Sequence, residues 1–254
     1  NSVPLGWYFH RVCLIVLAYK SHPRYPLVLA ANRDEFRDRP TAVAHFWEDA
    51  PHVLAGRDLR AGGTWMGITR TGRFAAVTNH RDLRRTWTGN RGSRGILVRQ
   101  ALEMDFDPAD IGDHEGFNLL YGSLDSIRYH TNITTTDTPL EPGIHGLSNA
   151  LLNTPWPKVQ RAKEAMERAV AGGHADLSDH LFELLADMRT APDDTLPDTG
   201  LPLEKERAIS SIFIPGESYG TRCSTILLVR NDGTVLFEEH TWPGVEKVSY
   251  ALQL

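Results

Sequence analysis

Two stretches near the start of the chain, CLIVLAY (13–19) and PLVLAAN (26–32), are unbroken aliphatic runs joined by the polar, proline-containing SHPRY. A strand with one wet face alternates apolar and polar residues, because successive side chains point to opposite sides. Neither run alternates. They therefore predict strands covered on both faces, and the polar link predicts an antiparallel hairpin. A chain built around such a hairpin has to lay material on both sides of one sheet.

The remaining sequence supplies candidates for those layers. TWMGIT (64–69) and RFAAVTN (73–79), joined by RTG, predict a second hairpin, and AGG (61–63) before it a turn or a close backbone approach. From Ser93, an N-cap candidate, SRGILVRQALEM places Ile96, Leu97, Ala101 and Leu102 at helical spacing. FNLLYGSL (117–124) and SIRYHTN (126–132) read as a third hairpin. Pro157 opens a helix whose apolar stripe is Val159, Ala162, Ala165, Met166, Ala169 and Val170, ended by Gly172-Gly173. LSDHLFELLADM (177–188) is a further helix with Leu177, Leu181, Leu184 and Leu185 inward. Residues 190–207, rich in Pro and Asp, read as a surface loop. AISSIFIP (208–215), STILLVR (224–230) and TVLFEEHTW (234–242), the last two joined by NDG, read as strands. No repeat and no linker-like break appears, so residues 13–254 are expected to form one α+β domain with helices packed on stacked sheets.

Several functional classes are disfavoured. A net charge of −5 leaves no basic footprint for nucleic acid. Two cysteines, Cys13 and Cys223, make no disulfide framework and fit a reducing compartment, so a cytoplasmic location is expected. No apolar stretch approaches the roughly 18–20 residues that span a bilayer. CLIVLA is too short for a secretory core and lacks a cleavage site behind it. The histidines show no metal-ligand spacing, and no metal or cofactor is expected. Asn132-Ile133-Thr134 matches a glycosylation sequon, but nothing else points to secretion.

Cys13 opens the first strand. On position alone it is a buried core residue, as free cysteines commonly are. A second reading comes from Val12, because valine is how an internal GTG start codon is translated. The working chain would then begin Met-Cys and lose its Met. Residues 1–12 are accordingly expected to be a non-native leader, a tag or a propeptide. A first-residue cysteine carries a nucleophile and a base together: an α-amine with pKa about 7.7–8 and a thiol near 8.5.

Four further groups fall at strand ends. ANRDE (31–35) ends the partner of the Cys13 strand, so pairing returns it beside Cys13. It is either a surface salt-bridge turn or a functional pair, with Arg33 lowering the thiol pKa and Asp34 holding an α-ammonium. Asn79, at the end of AAVTN, is either a turn residue or an amide donor for an oxyanion. Asn149, in GLSNALLN, is a loop residue or a second polar group presented at a strand end. In ESYGTRCST (217–225), Arg222 is a candidate for binding a carboxylate or a leaving group, and Cys223 is assigned to packing.

Taken together, CLIVLAY, ANRDE, GGTWMGIT, FAAVTNHRD, SRG, LSN followed by TPWPK, and YGTRCST resemble the NRDE family, also called the TANGO2 family, across residues 13–254 and in the same order. That family typically begins Met-Cys and is similar to the N-terminal nucleophile (Ntn) hydrolases of choloylglycine hydrolase and penicillin V acylase type. The resemblance implies a four-layer αββα sandwich of two antiparallel sheets. By motif it implies Cys13 as nucleophile, Arg33 and Asp34 in the second-strand Arg/Asp role with Glu35 competing for the acid, Asn79 and Asn149 as the two asparagines, and Arg222 as the late arginine. The expected function is hydrolysis of a linear or cyclic amide C–N bond in a small molecule. The alternative is a binding or trafficking protein that uses the same pocket for haem or another hydrophobic ligand.

Overall fold

The computed structural model describes residues 12–87, 92–172, 177–244 and 246–254; the expectation for residues 1–11 and Gly173 lies outside them. The first hairpin forms as predicted, from β1 (Cys13–Tyr19) and β2 (Leu27–Phe36), with β2 running on through the whole Asn-Arg-Asp-Glu segment. The chain continues through β3 (Thr41–Phe46), β4 (Val53–Asp58), β5 (Met66–Thr69), β6 (Arg73–Asn79), α1 (Arg94–Glu103), β7 (Phe117–Ser123), β8 (Ser126–Thr131), β9 (Thr136–Pro139) and β10 (Gly143–Leu147). It ends with α2 (Pro157–Ala171), α3 (Leu177–Leu185), α4 (Leu203–Ala208), β11 (Tyr219–Val229), β12 (Thr234–Thr241) and β13 (Lys247–Gln253).

Two antiparallel sheets result. One has six strands in the order β10-β1-β2-β11-β12-β13, the other seven in the order β3-β4-β5-β6-β7-β8-β9. The unbroken apolar runs have the predicted cause. On β1 and β2, Ile15, Leu17, Leu27 and Leu29 face the second sheet, while Leu14, Val16, Val28 and Ala30 face α2 and α3. The second sheet turns Val53, Ala75, Val77 and Leu119 toward Leu97, Val98, Ala101 and Leu102 of α1. The layers are therefore helix, sheet, sheet, helix. Among the described residues no helix is long and apolar enough to cross a membrane.

The Ala-Gly-Gly segment is a close approach. A Cβ on Gly63 would collide with the backbone of Gly95 at the start of α1, and Thr64 N–H donates to the Gly95 carbonyl at 3.1 Å. Ser93 occupies the N-cap position of α1, but its side chain makes no capping hydrogen bond.

Two expectations fail between residues 190 and 215. The segment 190–207 is not simply a surface loop. It contains most of α4 and buries Thr199, Leu201 and Glu206. Glu206 accepts from Arg81 Nη2 at 2.9 Å, with both side chains under a tenth exposed. Removing one partner of a buried pair leaves the other charge uncompensated. Arg81→Met is therefore expected to destabilise by about 3–5 kcal/mol, read as a lower urea midpoint; an unchanged midpoint contradicts the assignment.

Residues 208–215 are not a strand either. Their backbone groups are satisfied by side chains and turns instead of a ladder. Asn32 Nδ2 donates to the carbonyls of Ile212 and Leu185, each at 2.9 Å. Thr221 Oγ1 accepts from Ile214 N–H at 2.9 Å. Asn32, fully buried on β2, pins this irregular segment and the end of α3 to the sheet. Asn32→Ala would orphan both carbonyls and is expected to cost about 3 kcal/mol; a chemical-denaturation curve matching the wild type would count against it.

Candidate active site

Strand register brings the predicted residues together. Cys13 lies directly opposite Arg33, Arg33 opposite Cys223, and Cys223 opposite Thr241, so β1, β2, β11 and β12 contribute one side chain each to a single row. This row faces the second sheet and floors a cavity of about 360 Å³. Asn79 enters the cavity wall from the end of β6, and Arg222 from β11.

Cys13 is 8% exposed. Burial pushes its thiol up to about 12; the Asp34 carboxylate adds to the rise, while the Asp34 N–H and the Arg33 guanidinium oppose it. Its carbonyl accepts from Ser148 Oγ at 2.8 Å. Val12, immediately before it, is fully buried against Leu201, Ile209, Ile214 and Tyr219. The Val12 N–H donates to Tyr219 Oη at 2.8 Å, and the Val12 carbonyl accepts from the Asp34 N–H at 3.1 Å.

Arg33 and Asp34 do not act on one face. As consecutive strand residues they point to opposite sides. Arg33 projects into the cavity beside Cys13; its Nη2 lies 3.6 Å from Glu35 Oε2 and its Nη1 3.4 Å from Thr41 Oγ1. Asp34 lies on the helix side, across from Val12. Its Oδ1 accepts from Thr221 Oγ1 at 2.7 Å, and its Oδ2, also buried, has no hydrogen-bond partner among the described residues. Burial raises the Asp34 carboxyl, opposed by the charge of Lys158 and the Thr221 hydrogen bond. Glu35 returns to the cavity side, where its Oε2 lies between Arg33 and Arg39 at 3.6 Å from each. The two acids thus occupy different places instead of competing for one.

Asn149 is fully buried and stands behind the cavity. Its Nδ2 donates to the Asn79 carbonyl at 3.0 Å and its Oδ1 accepts from Ser148 Oγ at 3.2 Å, which ties the ends of β6, β10 and β1 together. Arg222 is the bulge residue between Thr221 and Cys223. Its Nη1 donates to the carbonyls of Phe36, Arg37 and Arg39 at 2.8, 3.1 and 3.1 Å, so it braces the turn after β2 as well as lining the cavity. Cys223 also lines the cavity; burial raises its thiol well above the ordinary range, and the neighbouring Glu239 adds to this. Glu239 accepts from the Ala44 N–H of β3 at 2.8 Å and joins the two sheets at the cavity floor.

Three residues near Cys13 escaped the sequence reading: Tyr219, Thr221 and Lys158. Lys158, in the first turn of α2, is only 3% exposed. A cation at the positive end of a helix is electrostatically misplaced, and that local misfit in PWPK was the available signal. Among the described residues no group of three or more His, Cys, Asp or Glu is placed to hold a metal.

Comparison with known proteins agrees with this architecture. Residues 12–244 match the family model described as Transport and Golgi organisation 2. The human Transport and Golgi organization protein 2 homolog is 36% identical over 91% of this chain and 93% of its own length. The Drosophila melanogaster protein Transport and Golgi organization protein 2 is 28% identical over 92% and 94%. Among solved structures, a conjugated bile acid hydrolase from Clostridium perfringens superposes with a TM-score of 0.50 over 93% of this chain and 92% of that one, at 9% identity, a likeness of fold alone. The chain belongs to the Transport and Golgi organisation 2 family, built on an Ntn-hydrolase-like fold.

Proposed function

We propose that this protein is an N-terminal cysteine nucleophile hydrolase of an amide C–N bond in a small molecule, with Cys13 as the first residue of the working chain and residues 13–254 as its one domain. The observation that carries this is the environment of the Val12–Cys13 junction. The thiol lies beside a guanidinium at a cavity, and on the other side of the strand a buried carboxylate oxygen, Asp34 Oδ2, is left without a partner among the described residues. A buried polar atom with nothing to bind calls for an explanation, and the α-ammonium created by removing residues 1–12 supplies one.

The chemistry follows from these positions. The neutral α-amine takes the thiol proton, and Cys13 Sγ forms a bond to the amide carbonyl carbon. Arg33 favours the thiolate, and Asn79 donates to the oxyanion. The C–N bond then breaks as the α-ammonium returns its proton to the leaving nitrogen. Water, deprotonated by the same amine, cleaves the thioester and frees the acid. Asp34 orients the amine, Asn149 holds Asn79 through its backbone, and Arg222 holds the turn that carries the cavity wall. Two unpaired buried cysteines fit a cytoplasmic location.

The haem or hydrophobic-ligand alternative draws less support from the wall. Among the described residues no histidine lines the cavity, which is studded with Arg33, Arg39, Arg57, Arg94, Glu35 and Asp58. The test is labelling of Cys13 by an acylating probe in a chain that begins at this residue, located by peptide mass.

A further inference from the structure

Two buried cations and the start of a helix meet at a second, smaller cavity. Arg81 after β6, Trp156 to Lys158 at the start of α2, and Glu206 of α4 line a space of about 10 Å³. That is the room of about one water-sized particle. The Arg81 side chain is 7% exposed. Its Nη2 donates to Glu206 Oε2 at 2.9 Å and its Nε to Thr199 Oγ1 at 3.0 Å, and the guanidinium carbon lies 4.9 Å from the centre of the Trp156 ring. The remaining nitrogen, Nη1, is buried and has no hydrogen-bond partner among the described residues. Lys158, 3% exposed, donates from Nζ to the Ile209 carbonyl at 3.0 Å and forms no ion pair among the described residues. Glu206 is already engaged: besides Arg81, it accepts from the Thr199 N–H and hydroxyl. The start of α2 adds positive potential of its own. Trp156 at the N-cap gives no side-chain cap, and the first turn holds no acid, while the leading N–H groups of any helix lack intrahelical partners.

We infer that this cavity is a binding site for one halide-sized anion, chloride, held between Arg81 Nη1, Lys158 and the first turn of α2. A buried donor with nothing to bind calls for an explanation, and buried charges are ordinarily paired. A water molecule could satisfy Nη1, but it would leave two cations along the wall facing one carboxylate. A helix N-terminus is suited to an anion in its own right. The size of the space selects a single atom over phosphate, sulfate or a carboxylate, each of which has several heavy atoms. A bound chloride would tie the segment after β6, the start of α2 and α4 together. The site is independent of the hydrolysis proposed above.

Thermal unfolding of the full chain tests this, at a constant ionic strength of about 0.15 M, with sodium chloride exchanged for sodium gluconate, whose anion is too large for the cavity. An ion that binds only the folded state raises Tm by mass action. The chain is expected to melt about 2–4 °C higher in chloride. Exclusion of a strongly hydrated anion from the protein surface stabilises in the opposite order, so the sign of the difference distinguishes a bound chloride from a general salt effect. In Lys158→Met the chloride gain should vanish. Equal or lower melting in chloride for the wild type overturns the inference, and so does an undiminished chloride gain in Lys158→Met. Where Lys158→Met does not fold, crystals of the wild-type chain grown in sodium bromide decide. An anomalous peak within hydrogen-bond reach of Arg81 Nη1 is expected; a water at that place, or bromide at other places only, overturns the inference.

Discussion

In a chain that begins at Cys13, Cys13→Ala is expected to abolish labelling by an acylating probe and to lower amide hydrolysis by about 10³-fold or more. Removing a covalent nucleophile leaves only the binding and oxyanion contributions. The fold should survive, because the substitution removes one sulfur from a side chain that faces the cavity. A loss near 1 kcal/mol shifts the unfolding midpoint of a chain this long by about 2–4 °C. Labelling is read by peptide mass, which separates Cys13 from Cys223, the other thiol in the same cavity. Persistent acylation at the Cys13 peptide position in the alanine variant, or hydrolysis at the wild-type rate, would remove Cys13 from the chemistry.

The second large effect concerns what precedes Cys13. Alkylation requires the thiolate, so its rate climbs with pH until the thiol pKa is passed. With residues ahead of it, the Cys13 thiol is pushed to about 12 by burial. Relative to an ordinary thiol near 8.5, the thiolate fraction at neutral pH falls by about 10³. Iodoacetamide should therefore modify Cys13 slowly at pH 7.4, with a rate still rising above pH 10. Starting the chain at Cys13 removes Val12, which is fully buried against Leu201, Ile209 and Ile214. Solvent and an α-ammonium then reach the thiol. The neutral-pH rate is expected to rise by about 10²-fold or more, with the inflection moving below pH 9. Equal pH profiles for the two chains would show that the preceding residues do not gate the thiol.

The site was partly legible because its members sit at the ends of apolar runs. Cys13 heads the β1 run and Asn-Arg-Asp-Glu closes the β2 run, and hairpin pairing alone returns the second to the first. Asn79 was visible for the same reason, at the end of β6. What a linear reading could not supply is which face each residue takes. Arg33 and Asp34 looked like one pair, yet as consecutive strand residues they point to opposite sides, Arg33 to Glu35 and Thr41, and Asp34 to Thr221 of β11. Arg222 looked like a ligand-binding arginine, and its Nη1 proves to hold three backbone carbonyls. Asn149 looked like a loop residue or a polar group presented at a strand end, and its Nδ2 holds the Asn79 carbonyl behind the cavity.

The misread elements share a cause. AISSIFIP has a strand's composition, but Asn32 and Thr221 satisfy its backbone from the side, so no ladder is needed. The segment 190–207 has a loop's composition, but Arg81, distant in sequence, gives Glu206 a reason to be buried. The edge strand β13 was passed over because, apart from the buried Leu252, its residues alternate between exposed and half-covered positions and carry no apolar run.

The sequence by itself determined the layering. Two aliphatic strands without alternation require cover on both faces, and the amphipathic stripes of α1, α2 and α3 are the local means of providing it. Those choices depend on side-chain period, which neighbours along the chain encode. The tertiary structure alone decided the electrostatics. Whether Asp34 keeps a free oxygen, whether Lys158 is a surface cation or a buried one, and whether the Cys13 thiol is masked depend on residues more than a hundred positions apart meeting in a medium of low polarity, where burial and a single opposite charge outweigh any local preference.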